Sequence, residues 1–392
     1  MKRSGDRILT THTGSLPRPA DVTALVAATE RSQQAKPAGY DLAIADATAR
    51  VLAQQIDAGL DVVNDGEVAK STWHDYVIDR VSGIEVRPCA PDARRIRRER
   101  PDFPEFYLAH SKAVVSEQFV CVGPITYTGH ASVAADIAQL KAAADGQQYT
   151  DLFMSALTPA AMGVDAAYES GGKLDYVLKN EYYPSTEEML LALGEALREE
   201  YEAIAGAGLV LQLDDPALCK LWAAHPEYDL PAYLRAAEQT IEALNHALRN
   251  IPREQVRQHV CWGAGPGPHT DDIPLRTVVD LMLKVNCGAY GVEGANPRHE
   301  HEWKIWQDVK LPDGAILMPG VVTAKTNIVE HPEVVADRIL RYTNLLGQEN
   351  VIAGTDCGMA DVRIHRELAW AKLHALSEGA KLASRQLGAE TD

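Results

Sequence analysis

His259, Val260 and Cys261 lie in a short apolar run, QHVCWG, that ends in glycine. In an extended strand, residues two apart point to the same side, so this imidazole and this thiol can face one ion. Thiolate sulfur and neutral imidazole are good zinc ligands. Cys357 in VIAGTDCG and Glu293 in AYGVEGA close later runs of the same kind and offer sulfur and oxygen. Donors of S, N, S and O type suit a tetrahedral Zn²⁺ with one labile position for a substrate. Spacing alone does not decide the matter, because a lone His-x-Cys pair more often serves packing than metal. Cys89, Cys121, Cys219 and Cys287 have no partner at ligand spacing and are read as packing residues. His299 and His301 stand two apart in a helical stretch, where a zinc pair needs a spacing of four, so they are read as surface. The glycines from Gly263 to Gly267 are read as a turn, since the neighbouring prolines remove amide donors and no lysine follows.

These residues need a frame to bring them together. Eight apolar runs end in polar residues or glycine: ILTTHTGS, DVVNDGE, FVCVGPIT, LVLQLDDP, QHVCWG, AYGVEGA, ILMPGVVT and VIAGTDCG. Strands buried on both faces read as such continuous runs. Helical periodicity fills most of the gaps. Residues 40–60 place Ile44, Val51, Leu52 and Ile56 on one face and stop at Gly59. Ser185 and Glu188 have capping-box spacing, and Pro332 opens a helix that Gly347 closes. Strands alternating with helices predict an α/β fold, a (β/α)8 TIM barrel in one domain over 1–392; a doubly wound sheet is the alternative. Residues 82–118 break the rhythm after the second strand. They carry four prolines and the run RRIRRER. A solvated surface excursion is the plainer expectation, a cationic flap over an anionic substrate the sharper one.

In barrel enzymes the chemistry gathers at the C-terminal strand ends. Those ends are predicted to hold Ser15, Glu67, Thr126, Asp214, His259 with Cys261, Glu293, Lys325 and Cys357. Trp73, His74 and Tyr76 follow Glu67 closely and would wall a substrate pocket, or simply pack the loop.

The 392 residues include 38 Lys and Arg against 55 Asp and Glu, a net charge of -17. That argues against nucleic-acid and anionic-membrane partners, which need a basic face. No run of about 18 apolar residues is present, so no membrane span is expected. Six thinly spread cysteines and no apolar leader fit a reducing cytoplasm. The sequence is compatible with a homo-oligomer and does not specify one.

THTGSLPRP, GLDVVNDGE, GPIT, QLDDPAL, HVC, VEGAN and GTDCG, in this order, resemble the catalytic half of cobalamin-independent methionine synthase. The resemblance runs from about residue 8 to 375 and skips the 82–118 excursion. It implies that His259, Cys261, Glu293 and Cys357 ligate zinc. It likewise implies that Ser15 holds an amino-acid carboxylate while Glu67 and Asp214 grip its amino group. The expected activity is transfer of an alkyl group, methyl first, from a donor to a small thiol such as homocysteine. Two departures bear on the donor. Lys325 stands near the place of a histidine that helps protonate the leaving group, and Tyr127 stands near that of a tryptophan for the pterin ring. Lys325, then His12, is the candidate proton donor. Alkylation of the epoxyalkane:coenzyme M type, a zinc hydrolase, a metal-free decarboxylase and a binding protein with structural zinc are the competing readings.

Overall fold

The computed structural model describes residues 1–29, 36–70, 73–95, 97–110, 115–163, 167–170, 173–176, 178–263, 267–360 and 364–389. Thirteen strands are present among them. In chain order they are β1 (Leu9–Thr10), β2 (Val62–Val63), β3 (Ile84–Arg95), β4 (Val115–Cys121), β5 (Asp151–Leu157), β6 (Ala167–Ser170) and β7 (Lys173–Tyr176). They continue with β8 (Leu178–Asn180), β9 (Val210–Asp215), β10 (Val256–Val260), β11 (Ala289–Val292), β12 (Ile316–Val322) and β13 (Ile352–Thr355).

Eight of them form one parallel sheet in the order β1-β13-β12-β11-β10-β9-β5-β2. Its two edges meet: the Asp61 amide donates to Thr10 O at 3.1 Å and Thr11 Oγ1 to Val62 O at 3.2 Å. The result is the expected TIM barrel. Helices over Tyr40–Asp57, Thr186–Gly206, Leu230–Leu248, Pro332–Leu346 and Arg366–Ala389 surround it. Ser185 caps the second of these by accepting from the Glu188 amide at 3.1 Å. Pro332 takes the first turn of the fourth, where its missing N–H costs nothing.

The third barrel strand corrects the sequence reading. It is β5, whereas the run FVCVGPIT starts as the end of β4, a strand of a second sheet, and continues beyond it. That sheet has the order β7-β6-β3-β4-β8, with β3 antiparallel to both β4 and β6. The excursion after the second barrel strand is therefore a structured unit that also recruits the chain through Asn180. Cys121 and Leu178 are fully buried in it, which gave the run its core-strand look.

The barrel interior is partly polar. Arg257 is buried on β10, its guanidinium stacked 3.5 Å from the centre of the Phe153 ring. It donates to Gln212 Oε1, Thr11 Oγ1 and His12 O at 2.7–2.9 Å. Residues 257, 259 and 261 alternate along one strand, so the face that holds Arg257 carries His259 and Cys261 next.

Candidate metal centre

Ligand atoms of His259, Cys261 and Cys357 lie within 4.8 Å of one another. The two sulfurs are 4.0 Å apart, too far for a disulfide and suited to two ligands of one ion. Among the described residues, His259 Nε2 is buried with no hydrogen-bond partner. A buried polar atom left unpaired is costly, and a metal bond would satisfy it. The Cys357 hydrogen bond, with His259 beside it, holds the Cys261 thiol well below its usual range despite burial. The same sulfur pair pushes Cys357 up. Burial opposes protonation of His259, yet Cys261, Asp214 and Glu293 together move its pKa upward. The donor set thus fits a thiophilic cation such as zinc.

Glu293 does not join the three within that distance. Its Oε1 accepts from the Trp262 amide at 3.0 Å and faces Lys325 Nζ at 3.3 Å, while Oε2 accepts from Asn296 Nδ2 at 2.8 Å. The carboxylate stands against the centre, held by its neighbours. Lys325 Nζ also donates to Gly263 O. Burial lowers its basicity, but Glu293, Cys261 and Cys357 outweigh that and keep it a cation.

Ser15, Glu67 and Asp214 come to the same end of the barrel. Ser15 packs against Gly358, next to Cys357, and its carbonyl accepts from the Met359 amide at 2.7 Å. Asp214 pairs in register with His259 across β9 and β10. Its Oδ1 accepts from Gln212 Nε2 at 3.0 Å. Glu67 is held at φ 57, a strained conformation for a side-chain-bearing residue, with its carboxylate against Gly14 and Ser155. Burial raises Glu67 to about 8 and Asp214 to about 7; the charge of Lys70 works against both shifts. A cation placed beside these carboxyls would favour their charged form.

The other expected residues fall elsewhere. His12 is corrected: it lies inside the barrel with both ring nitrogens engaged, Nε2 on Gln55 Oε1 at 2.8 Å and Nδ1 accepting from the Gly14 amide at 3.1 Å. Burial holds it near 3, so it is neutral, and its single N–H is engaged by Gln55. Tyr127 sends its hydroxyl to Glu200 Oε2 at 2.7 Å, and Tyr76 sends its own to Glu200 Oε1 at 3.2 Å. Both join a cluster around Arg80, and the Tyr76 ring centre also lies 5.0 Å from Lys70 Nζ. Trp73 stays near the site through Lys70, whose Nζ lies 4.3 Å from its ring centre. The His74 side chain and residues 264–266 are outside the described residues.

Several neighbours escaped the sequence reading. Lys70 donates to Ser155 O at 2.6 Å beneath Glu67, and its spacing of three from Glu67 was the available signal. Asp356, beside Cys357, accepts from the Gly294 and Ala295 amides at 2.8 and 2.9 Å and so fixes the loop after Glu293. His299 is buried and not on the surface as expected. It stacks 3.9 Å from Trp262, with Nε2 on Asp272 at 3.1 Å and Nδ1 on Glu302 at 2.8 Å.

Comparison with known proteins follows the same line. Residues 180–382 match the family model described as the catalytic domain of cobalamin-independent synthase. The 2-hydroxypropyl-CoM lyase of Xanthobacter autotrophicus is 23% identical over 97% of this chain and 96% of its own length. A methionine synthase of Saccharolobus solfataricus is 24% identical over 96% of this chain and 95% of its own. Among solved structures, a B12-independent methionine synthase from Shewanella sp. W3-18-1, in complex with selenomethionine, has a TM-score of 0.73 at 20% identity. That match covers 98% of this chain and 99% of the other.

Proposed function

This chain belongs to the cobalamin-independent synthase catalytic-domain family, and from that premise we propose that it is a zinc-dependent transferase moving an alkyl group, methyl first, onto a small thiol such as homocysteine. The observation that carries this reading is the convergence of two sulfurs and an orphaned imidazole nitrogen at the barrel mouth. A zinc ion bound by His259, Cys261 and Cys357 would hold an incoming sulfur as the thiolate, the nucleophilic form.

The chain supplies the rest. Ser15 is placed to hold the acceptor's carboxylate, and Glu67 with Asp214 its ammonium. Trp73 walls the donor side. The sulfur–carbon bond forms as the donor's bond to that carbon breaks, and the departing atom keeps the electron pair. Lys325 Nζ, a cation that Glu293, Cys261 and Cys357 keep charged, gives that atom its proton. Glu293, parked on Trp262, Asn296 and Lys325, is the reserve oxygen donor for the metal. Burial of Glu67, Asp214, His259, Cys261 and Glu293 limits water at the reacting atoms.

The match to 2-hydroxypropyl-CoM lyase over nearly the full length, with Lys325 near the place of the synthase histidine, favours a second reading in which another thiol is alkylated. Six free cysteines suit a cytoplasmic location, and among the described residues no helix is long and apolar enough to cross a membrane. A screen of thiols against alkyl donors on the zinc-loaded protein, with product masses read directly, tests the proposal. An S-alkylated thiol is expected. Donor cleaved by water alone, with every thiol unchanged, overturns it in favour of hydrolysis.

A further inference from the structure

Resting on the reading that Glu67 and Asp214 receive the acceptor's ammonium, we propose that Arg257 is the positioning residue of that grip. Through the Gln212 amide it aims both carboxylates, and so sets the preference for a thiol that carries an amino group.

A strand's period of two places Gln212 and Asp214 on one face of β9, and Arg257 and His259 on one face of β10. Register puts Arg257 beside Gln212, and Gln212 beside Ser155 of β5. Ser155, Gln212 and Arg257 thus form one layer across three strands, directly below the layer of Asp214 and His259. Barrel layers are ordinarily filled by branched apolar side chains. Arg257 is 1% exposed, and among the described residues it forms no ion pair. A buried charge without an opposite partner is costly, and an apolar side chain of similar volume serves stability better.

The hydrogen bonds of Arg257 account for its presence. Its Nε–H can only donate, and it meets Gln212 Oε1 at 2.7 Å. That contact fixes which end of the amide is which. It turns Nε2 toward Asp214 Oδ1 at 3.0 Å and Ser155 Oγ at 3.2 Å, with Thr13 O as a third acceptor. Ser155 Oγ stands in turn against the Glu67 carboxylate, which its hydroxyl stabilises in the charged form. One amide thereby reaches both members of the grip. The rest of the guanidinium fork holds Thr11 Oγ1 at 2.9 Å and His12 O at 2.8 Å, on the segment that leads to Ser15. Without Arg257 the amide is free to invert, and Oε1 would then face the Asp214 carboxylate, acceptor against acceptor.

The probes are homocysteine and 4-mercaptobutyrate, which share thiol, chain length and carboxylate and differ by the ammonium. Both are titrated calorimetrically into the zinc-loaded full chain. The wild-type protein is expected to bind homocysteine about tenfold more tightly, the worth of a charge-assisted contact. Arg257→Met is expected to lower that preference by about fivefold or more while 4-mercaptobutyrate keeps its affinity within about twofold. Gln212→Met leaves the guanidinium its contacts to Thr11 and His12 and is expected to act in the same way, so the test does not depend on the arginine variant folding. Metal analysis should find wild-type zinc in both variants. Loss of affinity for both thiols alike shows a purely structural part and overturns the proposal, as does a preference that neither substitution changes. Equal binding of the two thiols by the wild-type protein overturns the ammonium grip itself, and failure of both to bind overturns the thiol reading.

Discussion

Cys261 Sγ and Cys357 Sγ stand 4.0 Å apart although 96 residues separate them in the chain. Strands β10 and β13 are not neighbours in the sheet, so only closure of the barrel brings their ends together. Curvature of the whole sheet, more than any local motif, assembles the centre.

Cys261→Ser is expected to reduce bound zinc from about one per chain to a small fraction, because hydroxyl oxygen is a poor replacement for thiolate. The urea midpoint of the metal-free protein should move little, since the barrel core does not depend on the ion. Metal analysis and urea unfolding of the variant check both halves. Full zinc retention would place the metal elsewhere.

Lys325→Met removes the buried ammonium beside Glu293 and the sulfurs. Alkyl transfer is expected to slow by about 10²-fold, the usual contribution of a placed proton donor, with zinc content unchanged. Single-turnover rates together with metal analysis separate the two. An unaltered rate assigns the proton to another group.

Asp356→Ala deprives the buried Gly294 and Ala295 amides of their acceptor. A loss of about 1–3 kcal/mol is expected from each group so stranded. Zinc affinity should also fall by about 10- to 100-fold, as it does when the supports of a ligand shell are removed. Competition with a chromogenic chelator measures the second effect.

His299 and Asp272 predict a pH window for stability. Burial favours the neutral imidazole, but Asp272 and Glu302 raise His299 to about 9. Burial likewise disfavours the Asp272 carboxylate, but His269 and His299 bring it to about 2. The raised histidine contributes stability that is complete below its unfolded value of 6.5 and is lost as pH rises through about 9. The depressed aspartate contributes stability present above its unfolded value of 3.8 and lost as pH falls through about 2. Urea midpoints should therefore be highest between pH 4 and 6.5 for this cluster. His299→Gln should flatten the alkaline side, a change on the order of 2–3 kcal/mol. An identical alkaline slope in the variant would remove His299 from the account.

Much of this was legible in the sequence because a strand has period two. His259 and Cys261 had to share a face, and Asp214, Glu67 and Ser15 closed apolar runs in the right order. The third barrel strand was misread because an apolar run says only that both faces are buried. Phe119–Cys121 is the inner end of β4, paired on both sides within the second sheet, whereas β5 begins at Asp151 after a polar stretch that looks like a loop. His12 misled for a related reason. An imidazole near a strand end reads as reactive, and nothing in one sequence reveals Gln55, 43 residues later, taking its Nε2. His299 was hidden by spacing rules written for α-helices, whereas it stands just before the 3-10 helix Glu300–Gln307 with its ring on Asp272.

The central claim is that His259, Cys261 and Cys357 share one zinc ion that accepts a substrate sulfur. Zinc K-edge X-ray absorption on the purified protein, before and after adding homocysteine, tests it most directly. The account predicts one zinc per chain with two sulfurs and one imidazole nitrogen, and a third sulfur once the thiol is present. A shell without those two sulfurs, or one that no thiol alters, would contradict it.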